Sequence, residues 1–379
     1  MAPRKKTEGI IGSPDDLINE IAVDINKGDA AHAYFLGEED APTDLSMWAS
    51  TGALLLDIAI SNRVNGGFAY GRILELQGLE GSGKSLLAAH IMANVQKDGG
   101  IAVLLDTESA VNEEFFNAVG VNLSKPNGLY VPVETVEGIF ETIEQVIEIT
   151  KKNSIKDRKV VIVVDSVAGA TTKRELEAAY DKDGYNTDKS IIISKAMRKI
   201  TNLIAREKIM LIFTNQLRHK MNAQPFADPY TTSGGKAIGF HASVRLRLEQ
   251  ALKLKNKDDE IIGVNVKCKV IKNRFGPPHR QVDFDVYFDR GIDDTTSIFK
   301  YLKKKEIIKA SGAWATYVDQ HGEEHKFQST SFSTLLNENT ELRDELYGKI
   351  QEAMIMSYKT DGLTSESDDV QTDVTALEE

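Results

Sequence analysis

The residues Gly78, Leu79, Glu80, Gly81, Ser82, Gly83, Lys84 and Ser85 read G-x-x-x-x-G-K-S. That order of residue types can hold a chain of phosphates. The glycines let backbone N–H groups turn toward phosphate oxygens with no Cβ in the way. A helix beginning at Ser85 adds unpaired N–H groups and the positive end of a dipole. Lys84 is then placed to reach the β- and γ-phosphates, and the Ser85 hydroxyl to ligate Mg²⁺. The expected ligand is a nucleoside triphosphate.

Other polar groups follow apolar runs. Asp106-Thr107-Glu108 comes directly after Ile101–Leu105. Glu108 suits the polarisation of a water attacking the γ-phosphate, although an acid at such a place can also cap a helix. Asp165-Ser166 follows Val160–Val164, and an Asp behind five apolar residues is the pattern that holds Mg²⁺. Asn215-Gln216 follows Ile209–Thr214 and suits sensing of the γ-phosphate. Leu217 to Lys236 then shows neither helical nor strand periodicity. Its basic, aromatic and glycine residues suit phosphates and stacked bases, or an exposed flexible loop. His321-Gly322-Glu323-Glu324-His325 matches the inverted zinc-protease spacing H-x-x-E-H. That chemistry needs both histidines on one helix face, whereas Gly322 and Tyr317-Val318-Asp319-Gln320 favour a hairpin turn.

These groups need a sheet to carry them. Gly71–Gln77 before the glycine loop reads as a strand, and Ser85–Val95 after it as a helix, apolar nearly all round. Helices at Glu137–Lys151 and Ser194–Glu207 alternate with the later strands. The expected fold is α/β, with a mainly parallel sheet covered on both faces. After residue 242, Ser243–Glu249, Val264–Lys272 and Gln281–Phe288 read as an antiparallel edge. Asp289-Arg290-Gly291 marks a break. A small α+β segment follows, with helices at Thr296–Lys305 and Thr330–Tyr358 and a hairpin at Ala313–Gln328.

Near the start, Ser13 is a helix N-cap with Pro14 at the first position. Leu17, Ile18, Ile21, Val23 and Ile25 give that helix an apolar face, for its own core or for a neighbouring subunit. The expected divisions are an N-terminal segment 1–36, a nucleotide-binding core 37–290, a small C-terminal domain 291–358 and a disordered acidic tail 359–379.

Composition narrows the class. The 379 residues are 41% hydrophobic and 27% charged, as in an ordinary globular protein. The single cysteine, Cys268, excludes a disulfide framework and a cysteine-based zinc site. Met1-Ala2-Pro3-Arg4-Lys5-Lys6 is basic but leads into no apolar run, so a signal peptide is not expected. No apolar run approaches about 18 residues, so no membrane span is expected, and the cytoplasm is the default location. A net charge of −11 argues against a generic DNA-coating surface, although residues 361–379 hold acids and no Lys or Arg.

Taken in order, the motifs resemble the RecA family of DNA strand-exchange recombinases, phage-encoded relatives included. The resemblance runs over roughly residues 14–350. It rests on Ser50-Thr51-Gly52 with Leu56-Asp57-Ile58-Ala59, on the phosphate loop, on Asp106-Thr107-Glu108 and on Val163-Val164-Asp165-Ser166. It continues through Lys195-Ala196-Met197-Arg198-Lys199, Leu211 to Gln216 and Thr231-Thr232-Ser233-Gly234-Gly235. Phe240, Ala242 to Leu246, Lys272-Asn273-Arg274 and Ser311 to Trp314 complete it.

The resemblance implies roles. Glu108 activates water, Asp165 and Ser85 support Mg²⁺, and Phe115 lies against adenine. Gln216 couples the γ-phosphate to the second DNA-binding loop, 217–233. There Arg218 and Lys220 meet phosphates, Met221 and Phe226 are the apolar members, and Gly234 and Gly235 follow. A first DNA loop near 177–189 precedes Arg198. Lys272 and Arg274 reach the ATP of the next subunit. Two departures stand out: the first loop is unusually acidic and aromatic, and Ile191 stands near a position where bacterial members carry arginine.

The implied function is an ATP-dependent homologous recombinase, a DNA-dependent ATPase that forms helical filaments on single-stranded DNA and pairs that strand with duplex DNA. Its implied partners are DNA, further copies of itself, and single-strand-binding and mediator proteins. The alternatives are a ring-forming helicase or motor on the same core, or an accessory ATPase such as a scaffold or small-molecule kinase.

Overall fold

The computed structural model describes residues 13–28, 32–36, 41–109, 111–153, 159–177, 186–220, 229–232 and 235–357. The expected acidic tail, most of the first DNA loop, and Met221, Phe226 and Gly234 lie outside the described residues.

Helix α1 (Pro14–Asn26) begins as its sequence dictates. Ser13 and Asp16 form a reciprocal capping box, and Pro14 opens the first turn. None of its residues is buried, and Leu17, Ile18, Ile21, Val23 and Ile25 are all exposed. Strand β1 (Trp48–Ala49) pairs with β2 (Phe68–Ala69), and helix α2 (Leu54–Ser61) lies between them in the chain. Buried Asp57 on α2 accepts hydrogen bonds from the Thr51 N–H, the Thr51 Oγ and the Ser50 Oγ. Burial pushes its carboxyl up to about 7. The Ser50-Thr51-Gly52 and Asp57 motifs therefore meet in a structural turn.

The central sheet follows. In chain order come β3 (Ile73–Gly78), α3 (Lys84–Lys97), β4 (Ile101–Asp106), α4 (Glu113–Val119), β5 (Gly128–Pro132), α5 (Val136–Lys152) and β6 (Val160–Asp165). Then come α6 (Lys173–Leu176), α7 (Asn186–Arg206), β7 (Met210–His219), β8 (Tyr230–Thr232) and α8 (Ala237–His241). The chain continues into β9 (Val244–Lys255), β10 (Ile261–Asn273), β11 (Gln281–Tyr287) and β12 (Gly291–Asp293).

Among the described residues the sheet runs β12-β11-β10-β9-β3-β7-β6-β4-β5, with β8 added antiparallel to β7. The pairs from β9 through β3, β7, β6 and β4 to β5 are parallel; β9 to β12 pair antiparallel. This is the expected α/β sheet with an antiparallel edge.

The inner strands are mostly apolar because helices cover both faces, with buried Glu75, Gln77, Thr214 and Asn215 as exceptions. Leu74, Leu76, Leu104 and Val163 face one core with α2 and α3; Ile73, Leu105, Ile162 and Val164 face the other with α5 and α7. The period-two alternation of side chains sends neighbours to opposite cores. On α3, Leu87, Ile91, Met92 and Val95 have no exposed surface. Each such side chain contributes about 1.5–3 kcal/mol on burial. His90 on the same helix accepts the Ile292 N–H at 2.8 Å and so fastens β12 to α3. Cys268 is buried in β10 as a small core residue.

The C-terminal segment comprises α9 (Thr295–Lys304), β13 (Lys309–Ser311), β14 (Trp314–Val318), β15 (Glu324–Gln328), α10 (Phe332–Glu338) and α11 (Thr340–Met354). The expected single helix over Thr330–Tyr358 is two. Asn339 breaks it at φ −118°, ψ 90°, and its side chain caps the second helix by accepting the Leu342 N–H. The expected hairpin is present as β14 and β15. Asp319 organises its turn by accepting the His321 and Glu323 N–H groups, and His325 lies 2.8 Å from its other oxygen. The H-x-x-E-H spacing thus falls on a turn and a strand. The segment shares one hydrophobic core with α2 and α3, through Leu302, Phe332, Leu346 and Ile350.

Candidate nucleotide site

The phosphate loop spans the end of β3 and the start of α3. Gly83 caps α3 at φ 90°, a left-handed conformation, and no side chain accepts from the first turn. The first N–H groups of α3 are therefore available to an anion. Gly81 is also left-handed at φ 70°, with open space where a Cβ would stand. Leu79, Glu80, Gly81 and Ser85 are exposed, and Ser82 is buried. The Lys84 ammonium lies across the loop and donates to the Leu79 carbonyl at 2.7 Å. Burial lowers its pKa, while the charges of Asp165, Glu108 and Glu80 pull it back up.

The register places the remaining groups along one sheet edge. Gly78 pairs with Gln216, and Asp106 with Asp165. This is the crevice at the carboxyl ends of parallel strands where such folds bind ligands. Asp165 accepts from the Thr214 Oγ at 2.6 Å. With Ser85 exposed on the first turn of α3, it supplies hard oxygen donors beside Lys84, and these residues fit Mg²⁺.

The two acids at the end of β4 divide their work. Buried Asp106 shapes the turn, accepting from the Glu108 and Ser109 N–H groups and from the Tyr130 hydroxyl. Glu108 is exposed, and its Oε1 accepts from the Ser166 Oγ at 2.9 Å. Thr107 fixes that approach through reciprocal bonds with the Ser166 backbone. Ser166, Thr107 and Thr214 stand within the motifs, but no role could be read for them, because hydroxyls inside motifs carry no spacing signal of their own. Phe115 is half-buried on α4, with its ring edge-on to Phe116.

The loop after Gln216 has a strand at its base, which the absence of periodicity in the sequence did not suggest. Leu217, Arg218 and His219 pair with Thr232, Thr231 and Tyr230, and the His219 and Tyr230 rings lie 4.7 Å apart. Arg218 and Lys220 are exposed on this ribbon. Beside it opens a groove of about 380 Å³, lined by Lys220, Tyr230, Lys236, Phe240 and Arg247 among others. Gly235, at the loop's far end, approaches Ser190 on α7.

Residues 17–293 match the family model described as the RecA N-terminal domain. The chain is 37% identical over 319 residues to Protein RecA of Campylobacter jejuni, covering 84% of this chain and 87% of that one. It is 36% identical over 308 residues to Protein RecA of Helicobacter pylori, covering 80% and 83%. For Protein RecA of Clostridium acetobutylicum the identity is 37% over 318 residues, covering 84% and 85%.

The chain belongs to the RecA family. It is an ATP-dependent recombinase of DNA repair and, as an enzyme, a DNA-dependent ATPase. Among the described residues, no helix is long and apolar enough to cross a membrane.

In this RecA-family chain, Lys272 and Arg274 do not converge on the phosphate loop. Gly78 is level with Leu248 and Cys268, whereas Lys272 is level with Arg245 and Glu75. Lys272 is thus about 10 Å back along the strands and about another 10 Å across the sheet. Its ammonium donates to the Gly239 and Phe240 carbonyls at 3.0 and 2.7 Å. Burial, then the charges of Arg274 and Arg245, push it down to about 8. His241 packs nearby, with Nδ1 2.9 Å from the Thr201 Oγ. Burial lowers its pKa, as do the charges of Arg198, Lys272 and Arg274. Arg198, expected beside DNA, thus belongs electrostatically to this cation cluster.

Proposed function

We propose that copies of this chain assemble head-to-tail on single-stranded DNA, with one ATP at each interface. One copy supplies the phosphate loop and the next supplies Lys272 and Arg274. The observation that carries this reading is the separation of those cations from the loop of their own chain, about 10 Å along the strands and about 10 Å across the sheet. The exposed apolar face of α1 also favours a neighbouring subunit. A head-to-tail contact that does not close generates a helix.

Within each site, the loop N–H groups and Lys84 hold the β- and γ-phosphates, with Phe115 against adenine. Ser85 and Asp165 would hold Mg²⁺, which would supply neutralising charge at the phosphates. Glu108 orients the attacking water and takes its proton. Gln216 relays the state of the γ-phosphate to the β7–β8 ribbon, where Arg218 and Lys220 meet DNA phosphates. Met221, Phe226, Gly234 and Gly235 complete that DNA surface, and Arg198 extends it. ATP favours the DNA-gripping filament, and hydrolysis releases subunits. Base pairing reads the sequence during exchange with duplex DNA.

The same reading assigns residues 1–36 to oligomerisation, 37–290 to the ATPase core and 291–358 to a small C-terminal domain. The cytoplasm is the place of action, with single-strand-binding and mediator proteins as partners. No observation favours a ring-forming DNA motor. Electron microscopy with single-stranded DNA and a non-hydrolysable ATP analogue tests the assembly. Helical filaments are expected; discrete rings would overturn it.

A further inference from the structure

Glu75 sits in the middle of β3 with no exposed surface, and the proposed ATPase chemistry leaves it without a task. A carboxylate there must be held by several partners, because burial strips it of water. The Gln77 Nε2 donates to it at 3.0 Å, the Asn215 Nδ2 at 2.9 Å and the Arg245 Nε at 2.7 Å.

Each partner adjoins a different working part. Gln77 immediately precedes Gly78, where the phosphate loop begins. Asn215 immediately precedes Gln216, where β7 runs out into the DNA-facing ribbon. Arg245 lies on β9, directly under α8. A Cβ on Gly239 of that helix would stand 2.7 Å from the Arg245 Cζ. Helix α8 follows the DNA loop, and its Gly239 and Phe240 carbonyls receive the Lys272 ammonium. One carboxylate therefore joins the strand entering the phosphate loop, the strand leaving for the DNA loop, and the helix on which that loop lands.

We infer that Glu75 is a positioning residue that couples the nucleotide site to the second DNA loop, acting through Asn215 and Arg245. The inference rests on the proposed roles of Gln216 and the β7–β8 ribbon. A simple core pair is a weaker account of the geometry. Isolated buried ion pairs give little net stability over apolar packing, so three polar partners on separate strand positions point to alignment. Coupling of this kind is a free energy shared by two sites, so its loss must appear in both directions.

The test compares Glu75→Gln with the wild-type chain. Steady-state ATPase is measured with and without single-stranded DNA, and DNA affinity by fluorescence anisotropy with an ATP analogue and with ADP. In the variant, DNA-free ATPase stays within about twofold, while the stimulation by DNA falls about tenfold. The ratio of DNA affinities in the two nucleotides moves toward one, a readout that a merely structural role leaves unchanged. Arg245→Gln produces the same defect, and the double variant is no worse than either single one. Gly239→Ala, which displaces the Arg245 guanidinium while leaving Glu75 in place, reproduces the loss and serves if Glu75→Gln does not fold. Full stimulation and an unchanged affinity ratio in folded Glu75→Gln, or in Gly239→Ala, would overturn the inference. A wild-type chain without DNA-stimulated ATPase would instead remove the functional reading beneath it.

Discussion

Gly78 and Gln216 are register partners on the adjacent parallel strands β3 and β7. The residue that opens the phosphate loop and the residue that precedes the β7–β8 ribbon share one level of the sheet. A displacement of either is felt by the other, because paired strands in a close-packed interior do not slide independently.

Lys84→Ala removes the cation that spans the loop. ATPase turnover is expected to fall about 100-fold or more, since charge stabilisation of a transferring phosphoryl group is lost. DNA binding should then no longer respond to ATP, as read by anisotropy with and without nucleotide. Persistent ATP-dependent binding would contradict the assignment.

Glu108→Gln keeps the size of the side chain and its contact with the Ser166 Oγ but removes the base. Filaments should still form with ATP, while hydrolysis slows by about 10²–10⁴-fold. Wild-type turnover in that variant would sink the role of Glu108.

Lys272 carries its charge below about pH 8 and loses it above. If it meets the triphosphate of a neighbour, ATP-dependent assembly should weaken as pH rises through about 8, measured by light scattering. Lys272→Arg should hold assembly to about pH 9 or beyond, because a guanidinium stays protonated. Deprotonation of Lys272 does not itself favour unfolding, and circular dichroism over the same pH range checks that the fold is intact. A lysine with a lowered folded pKa makes folding more favourable, not less, as pH rises between its folded and unfolded values. A flat profile to about pH 9 would count against the contact.

Ile21→Asp places a charge on the exposed face of α1. Stability of the single chain should change by about 0.5 kcal/mol or less, as for surface substitutions, in thermal unfolding. Assembly should weaken markedly in sedimentation. Unaltered assembly would return that face to solvent.

Much of this was legible because the chemistry is local. A phosphate loop declares itself by spacing, and Asp165 by the apolar strand before it. Ribbon β7–β8 was hidden because Arg218, His219 and Lys220 look like loop residues, and their pairing partners Tyr230 to Thr232 lie beyond an intervening stretch. The break at Asn339 was hidden because apolar spacing on both sides of it is helical. Glu75 and Gln77 were harder still. They are polar residues alternating with Leu74 and Leu76 inside a strand, and no spacing reports their buried partners. Their enclosure beside Asn215, Arg245 and α8 follows from tertiary packing. The offset of Lys272 from Gly78 across the sheet likewise needs the register of β9 and β10, which includes bulges that no spacing rule reports.

The shared site is tested most directly by mixing two inactive variants. Lys84→Ala retains the cations, and Lys272→Ala/Arg274→Ala retains the phosphate loop. Each alone should show little DNA-stimulated ATPase. Mixed at equal concentration, with co-assembly established by tagged pull-down, they should recover activity, because some interfaces join an intact loop to intact cations. Co-assembled mixtures that remain as inactive as either variant alone would contradict a site built from two subunits.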